Sequence, residues 1–127
     1  MLRKNVLRRK KDFDLIYRNG KSIGDRYIVL FYRKNGMKYS RTAFLASKKV
    51  GNSVKRNRAR RLMKESLRLS DYKLVEGYDY IFIARNTING VKCQDVSRSV
   101  ASAVKRAEVI KGEKVRWNIK LTAYFDN

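Results

Sequence analysis

A chain of 127 residues with 32 Lys or Arg against 11 Asp or Glu carries a formal charge of +21. That imbalance predicts a polyanionic partner: RNA, DNA or an anionic membrane surface. A hydrophobic content of 43% fits one folded domain and excludes disorder throughout. With no histidine and a single cysteine, imidazole acid–base chemistry and an internal disulfide are excluded, and zinc would have only carboxylates to bind.

The basic start MLRKNVLRRKK lacks the apolar run of a signal peptide. No stretch approaches the ~18 apolar residues of a membrane span, so a cytoplasmic protein without membrane partners is expected. Proline is absent, leaving glycine, asparagine and serine to punctuate the chain. DFDLIYRNG (12–20) reads as a short helix closed by Gly20, with Phe13, Ile16 and Tyr17 on one face. RYIVLFYR (26–33) reads as a strand, KNGMKYS (34–40) as a turn-bearing connection, and RTAFLAS (41–47) as the antiparallel partner of that strand.

VGNS (50–53) is a loop offering Asn52 or Ser53 as helix N-cap. The spacing predicts a helix over 54–70. Ala59, Leu62, Met63, Ser66, Leu67 and Leu69 fall on one arc, and Asn57, Arg60, Arg61, Lys64 and Arg68 on the opposite one. Arg56 and Arg58 take the flanks. GYDYIFIAR (77–85) reads as a buried strand, so strand, basic helix and strand form a βαβ unit. An amphipathic helix over 95–110 follows, with Val96, Val100, Ala103, Val104 and Ala107 as its stripe. VRWNIKLTAYF (115–125) alternates strictly and predicts an added strand, whose Trp117/Phe125 face favours self-association if left uncovered.

The basic helix is the strongest functional signal. Thirteen Lys or Arg and no acid lie between Asp25 and Glu65, whereas solvated helix faces mix signs to gain i,i+4 pairs. Arginine forks bridge phosphate oxygens or a base edge. Asn57 adds a neutral donor and acceptor for a base, a sugar hydroxyl or a hydrated metal. Lys48, Lys49 and the amides of 51–55 form a further phosphate cradle at the helix start. Phe13, Tyr17, Tyr27, Phe31 and Tyr32 fit either a base-stacking groove or the core, and composition alone favours the core. Cys93 has no neighbour that makes it a nucleophile, and the scattered acids form no cluster, so no catalytic or metal-binding side chains are expected.

SKKVGNSVKRNRARRLMKE (47–65), with its central Arg56-Asn57-Arg58, resembles the signature of the bacterial ribonuclease P protein family. DFDLIYRNGKS (12–22), RYIVLFY (26–32) and EGYDYIFIAR (76–85) match in order and spacing. The resemblance implies a domain over 1–110 followed by an extension over 111–127. It implies an α+β sandwich like domain 2 of ribosomal protein S5, a small mixed sheet packed by helices, with a left-handed βαβ crossover. It also implies the protein subunit of an endoribonuclease that removes the 5′ leader of precursor tRNA. The RNA subunit supplies catalysis, magnesium is bound mainly by that RNA, and the protein alone is inactive. The partners are then the catalytic RNA and precursor tRNA, with no obligate protein partner. The matched residues assign catalytic-RNA contacts to Lys48, Lys49, Asn52, Arg56, Asn57, Arg58, Arg60, Arg61 and Lys64, and leader contacts to Phe13, Tyr17 and Phe31.

Three departures stand out. Tyr17 and Phe31 exchange the family's more usual Phe and Tyr. Lys10 stands where many members carry a helix-capping residue, which implies a more frayed first helix. The segment 111–127 lies outside the pattern. Two alternatives explain the charge. A structural, ribosomal-type RNA-binding protein without a role in cleavage fits it equally well, but gives no reason for an open aromatic cleft. A helix-turn-helix DNA binder conflicts with the strands on both sides of the basic helix.

Overall fold

The computed structural model describes residues 5–111. Helix α1 (Lys10–Asn19) leads into strands β1 (Lys21–Gly24), β2 (Ile28–Lys34) and β3 (Arg41–Leu45), followed by helix α2 (Ser53–Arg68). Then come β4 (Lys73–Leu74), β5 (Tyr78–Ala84), a 3-10 turn (Asn86–Ile88), helix α3 (Cys93–Arg106) and β6 (Ile110–Lys111). The main sheet has the order β1-β2-β5-β3, and β4 and β6 make a separate pair.

Strand alternation divides the apolar residues between the two faces of this sheet. Ile28, Leu30, Tyr80 and Phe82 point to one side. There they meet Ala59 and Met63 of α2 and Val96, Val100, Ala103 and Val104 of α3 in the larger core. Ala43 and Ile81 point to the other side and pack with Leu7 and with Ile16 of α1. Helix α1 lies close to the sheet at its C-terminal end: a Cβ on Gly20 would meet the Ile16 carbonyl oxygen at 2.5 Å and that of Tyr32 at 2.8 Å. The second face is covered by one short helix, so Phe13, Phe31, Leu45 and Ile83 remain only partly buried there.

Residues 41–45 do not pair with residues 28–34 as expected. Strand β3 runs parallel to β5, with Ala43 opposite Ile81. The antiparallel neighbours of β2 are β5 and the short β1, which carries no apolar alternation to announce it. The expected βαβ unit is present as β3-α2-β5. Leu69 is not part of the packed arc of α2. It is the C-cap residue and is 62% exposed, whereas Ala59, Met63 and Ser66 are buried. Helix α3 ends at Arg106, short of the expected Ile110. The chain turns at Glu108 (φ 58) and delivers Ile110 to pair with Leu74. The strand expected over 115–125 lies outside the described residues.

Candidate nucleic-acid interface

The start of α2 is shaped by its loop. Lys48, Lys49 and Val50 form a tight turn in which the Gly51 amide bonds the Lys48 carbonyl at 3.1 Å. Gly51 takes φ 141, a conformation that side chains disfavour. Asn52 then caps the helix, its Oδ1 accepting the Lys55 amide at 3.0 Å. The connector after β5 holds this assembly from behind. Asn89 donates to the Val50 carbonyl at 2.7 Å, and Arg58 donates to the Val91 carbonyl at 2.6 Å.

Within this frame, Lys48, Lys49, Asn57, Arg61 and Lys64 are exposed, and Arg56, Arg58 and Arg60 are half-buried. The Arg60 guanidinium donates to the Asn57 side-chain oxygen, joining two members of the expected surface. Arg58 is tied by its bond to Val91 to the connector that precedes α3. The buried Nε of Arg56 has no hydrogen-bond partner. Among the described residues, none of the eight cations between Lys48 and Lys64 forms a salt bridge, and Glu65, the acid that follows them, is held by Arg68 at 2.7 Å. The Arg68 hydrogen bond is the main reason the Glu65 carboxyl sits below its ordinary range, with Arg61 and Lys64 adding to it. The positive face therefore remains uncompensated.

Arg60, Arg61 and Lys64 also wall a concavity of about 580 Å³ against Asn5, Thr42 and Phe44. Neither Asn5 nor Phe44 is marked for this place by any sequence pattern. Asn5 arrives because the N-terminal segment bridges to the outer edge of β3, with Thr42 donating to the Asn5 carbonyl at 2.8 Å, and Phe44 is brought by β3 itself.

On the opposite face of the sheet, Tyr17 meets Phe31 edge-on at 5.0 Å and Phe13 at 6.4 Å. Tyr17 is 41% exposed, and Phe13 and Phe31 are half-buried against Leu7, Ile16, Ala43 and Ile81. These three aromatics thus form one cluster that is both core margin and open surface. Leu45 and Ile83 extend its floor. Burial and then the Asp14 carboxylate raise the Tyr17 phenol above its ordinary value. Helix α1 is fixed over this floor by Arg41, which binds Asp79 through Nε at 2.9 Å and Nη2 at 2.6 Å and reaches Asp12 at 3.3 Å. The Arg9 N-cap contributes no side-chain bond.

Fold and site define a class: small, strongly basic α+β proteins with a cationic helix packed on one face of a sheet and a partly open aromatic cluster on the other. Comparison with known sequences narrows it. The family described as Ribonuclease P matches residues 1–108, and the chain belongs to that family. It is 43% identical to the ribonuclease P protein component of Pelotomaculum thermopropionicum over 83% of this chain and 94% of that one. With the Clostridioides difficile component it shares 41% identity over 81% of this chain and 91% of the other. Among solved structures, the Thermotoga maritima RNase P protein aligns with a TM-score of 0.73 at 32% identity, covering 86% of this chain and all (100%) of that one. The Staphylococcus aureus protein aligns at 0.76 and 26%, covering 86% and 100% respectively.

Proposed function

We propose that this chain acts as the protein subunit of ribonuclease P, binding the catalytic RNA and the 5′ leader of precursor tRNA while the RNA cleaves. Family membership carries this reading, and the placement of the two candidate surfaces supports it. The exposed cations of 48–64 would bind phosphates of the catalytic RNA, with Asn57 held by Arg60 at their centre. Asn52 and Arg58 support this surface mainly by capping and anchoring α2. The cleft of Phe13, Tyr17 and Phe31 would hold unpaired leader bases by stacking.

On this reading magnesium is held mainly by oxygens of the RNA subunit. When bound, magnesium supplies water activation and charge stabilisation for phosphodiester hydrolysis. The protein's part is to neutralise phosphate charge and position the leader. Family membership supports an S5-like sandwich whose β3-α2-β5 crossover is left-handed, against the usual right-handed rule. The family match ending at residue 108 supports a domain over 1–110 and an extension beyond it. A cytoplasmic location follows from the same reading. Among the described residues, no helix is long and apolar enough to cross a membrane.

The test is reconstitution with the catalytic RNA at low magnesium, scoring leader removal with and without protein. Cleavage should require the RNA and be promoted by the protein. Phe13→Ala should weaken precursor binding while sparing mature tRNA. Metal-dependent cleavage by rigorously RNA-free protein, or equal effects of Phe13→Ala on both tRNAs, would overturn the assignment of roles.

A further inference from the structure

A second group of aromatics lies on the side of the sheet away from Phe31. Residues Tyr32 and Lys34 of β2 stand opposite Tyr80 and Tyr78 of β5, and Lys21 stands opposite Tyr32, so pairing register gathers these side chains at one end of the sheet. They open onto a concavity of about 220 Å³, walled by the turn at Gly20 and by Arg33. The volume is below the ~300 Å³ at which ordinary small-molecule pockets begin.

Its chemistry is specific. The Tyr32 and Tyr78 rings lie 6.5 Å apart and tilted at 41°. Tyr78 is the open end of a stacked series that runs through Tyr80 at 5.9 Å and Phe82 at 6.5 Å to Phe44 at 5.5 Å. Tyr80 and Phe82 are fully buried, so a flat ring entering the pocket would extend that series by one member. Lys21 and Lys34 are exposed and form no salt bridge among the described residues. The Arg33 guanidinium donates to the Lys34 carbonyl at 3.3 Å and, among the described residues, forms no salt bridge. The acid whose charge reaches Tyr32 is Glu108, which three cations outweigh. Aromatic faces ringed by unpaired cations are the parts of a subsite for single-stranded nucleic acid.

We propose that the Tyr32–Tyr78 pocket is a further stacking subsite for one unpaired RNA nucleotide, its base on the tyrosines and its phosphate on Lys21, Arg33 or Lys34. The proposal rests on the reading that this chain works on RNA. It is separate from the Phe13 cleft, because Phe31 and Tyr32 project to opposite faces of β2. The nucleotide comes from either the precursor leader or an unpaired stretch of the catalytic RNA.

The experiment measures equilibrium binding of the full chain to the catalytic RNA alone, and of the assembled complex to precursors whose leaders are lengthened one nucleotide at a time. Thermal melting is followed in parallel. Tyr32→Leu with Tyr78→Leu should weaken binding about tenfold, whereas Tyr32→Phe with Tyr78→Phe should retain it. A loss that appears only beyond a certain leader length identifies the leader as the source. A loss for the catalytic RNA alone identifies that RNA. Should the leucine pair fail to fold, Lys21→Gln with Lys34→Gln replaces it and should weaken binding more than Lys73→Gln with Lys92→Gln. Unchanged binding by folded pocket variants, while Phe13→Ala still weakens precursor binding, sinks the subsite and leaves the functional reading standing. If Phe13→Ala and Arg60→Ala are also without effect, the functional reading itself fails.

Discussion

Asp79 shows how one residue connects the inside of this protein to its working surface. Its side chain is 4% exposed, that of Arg41 is 17% exposed, and the two meet through a two-pronged contact that Asn35 and Asp12 complete. Such a pair gains little over an apolar replacement, but breaking it strands a charge in a poor solvent. Asp79→Ala should therefore destabilise the fold by about 3–5 kcal/mol in denaturant titrations. Removing Arg41 as well should recover part of that loss, because the two effects share one contact. Asp79 could be identified from sequence only as an acid inside an apolar strand. Its partner lies 38 residues earlier, and only the parallel β3–β5 register brings them together. The aromatics were ambiguous for a related reason. Phe13 and Phe31 serve as core on one side and as cleft on the other, so no count of apolar residues could assign them to either.

At the scale of elements, legibility followed the strength of local signals. Helix α2 was readable because its cap, apolar spacing and single-sign charge agree, and the structure moves its limits only slightly. Strand β1 was not, since four residues reading KSIG hold no pattern of burial. Strand β3 pairs parallel to β5 rather than antiparallel to β2 because an apolar pentapeptide suits either direction, and what decides is the helical crossover that follows it. A contact between elements also sets a pH dependence. Asp25, at the β1–β2 turn, accepts from Ser99 at 2.6 Å and from its neighbour Arg26 at 2.8 Å, and pairs with Arg106 at the end of α3. Burial raises its pKa, but the hydrogen bonds from Ser99, the Arg26 amide, Ser102 and Arg106 outweigh that and leave it lowered. A carboxyl depressed in the folded state contributes stability above its unfolded value of about 3.9 and loses it as pH falls through the folded value. Melting temperature should thus fall below about pH 4, and Asp25→Asn should flatten that acid limb while lowering stability at neutral pH. An unchanged acid limb in the variant would show that other carboxyls govern it.

For the whole molecule the governing quantity is the charge of +21. A compact chain with this imbalance repels itself, and the ion pairs at Arg41, Arg68 and Arg106 leave the cations of 48–64 uncompensated. The unpaired cations of the α2 region are the reserve that a polyanion would neutralise. If about 6 of them meet phosphates, the released counterions give log affinity against log salt a slope of about −4 to −5. Measured on the catalytic RNA, that slope should fall by nearly 1 for each exposed cation removed, as in Arg61→Gln or Lys64→Gln. Arg58→Gln should behave differently. Its guanidinium is already bound to the Val91 carbonyl, so its removal should lower stability and leave the slope nearly unchanged. A flat dependence between low and moderate salt would mean that this surface meets no phosphate. Equal slopes for Arg58 and Arg61 variants would mean that Arg58 leaves its internal partner when RNA binds.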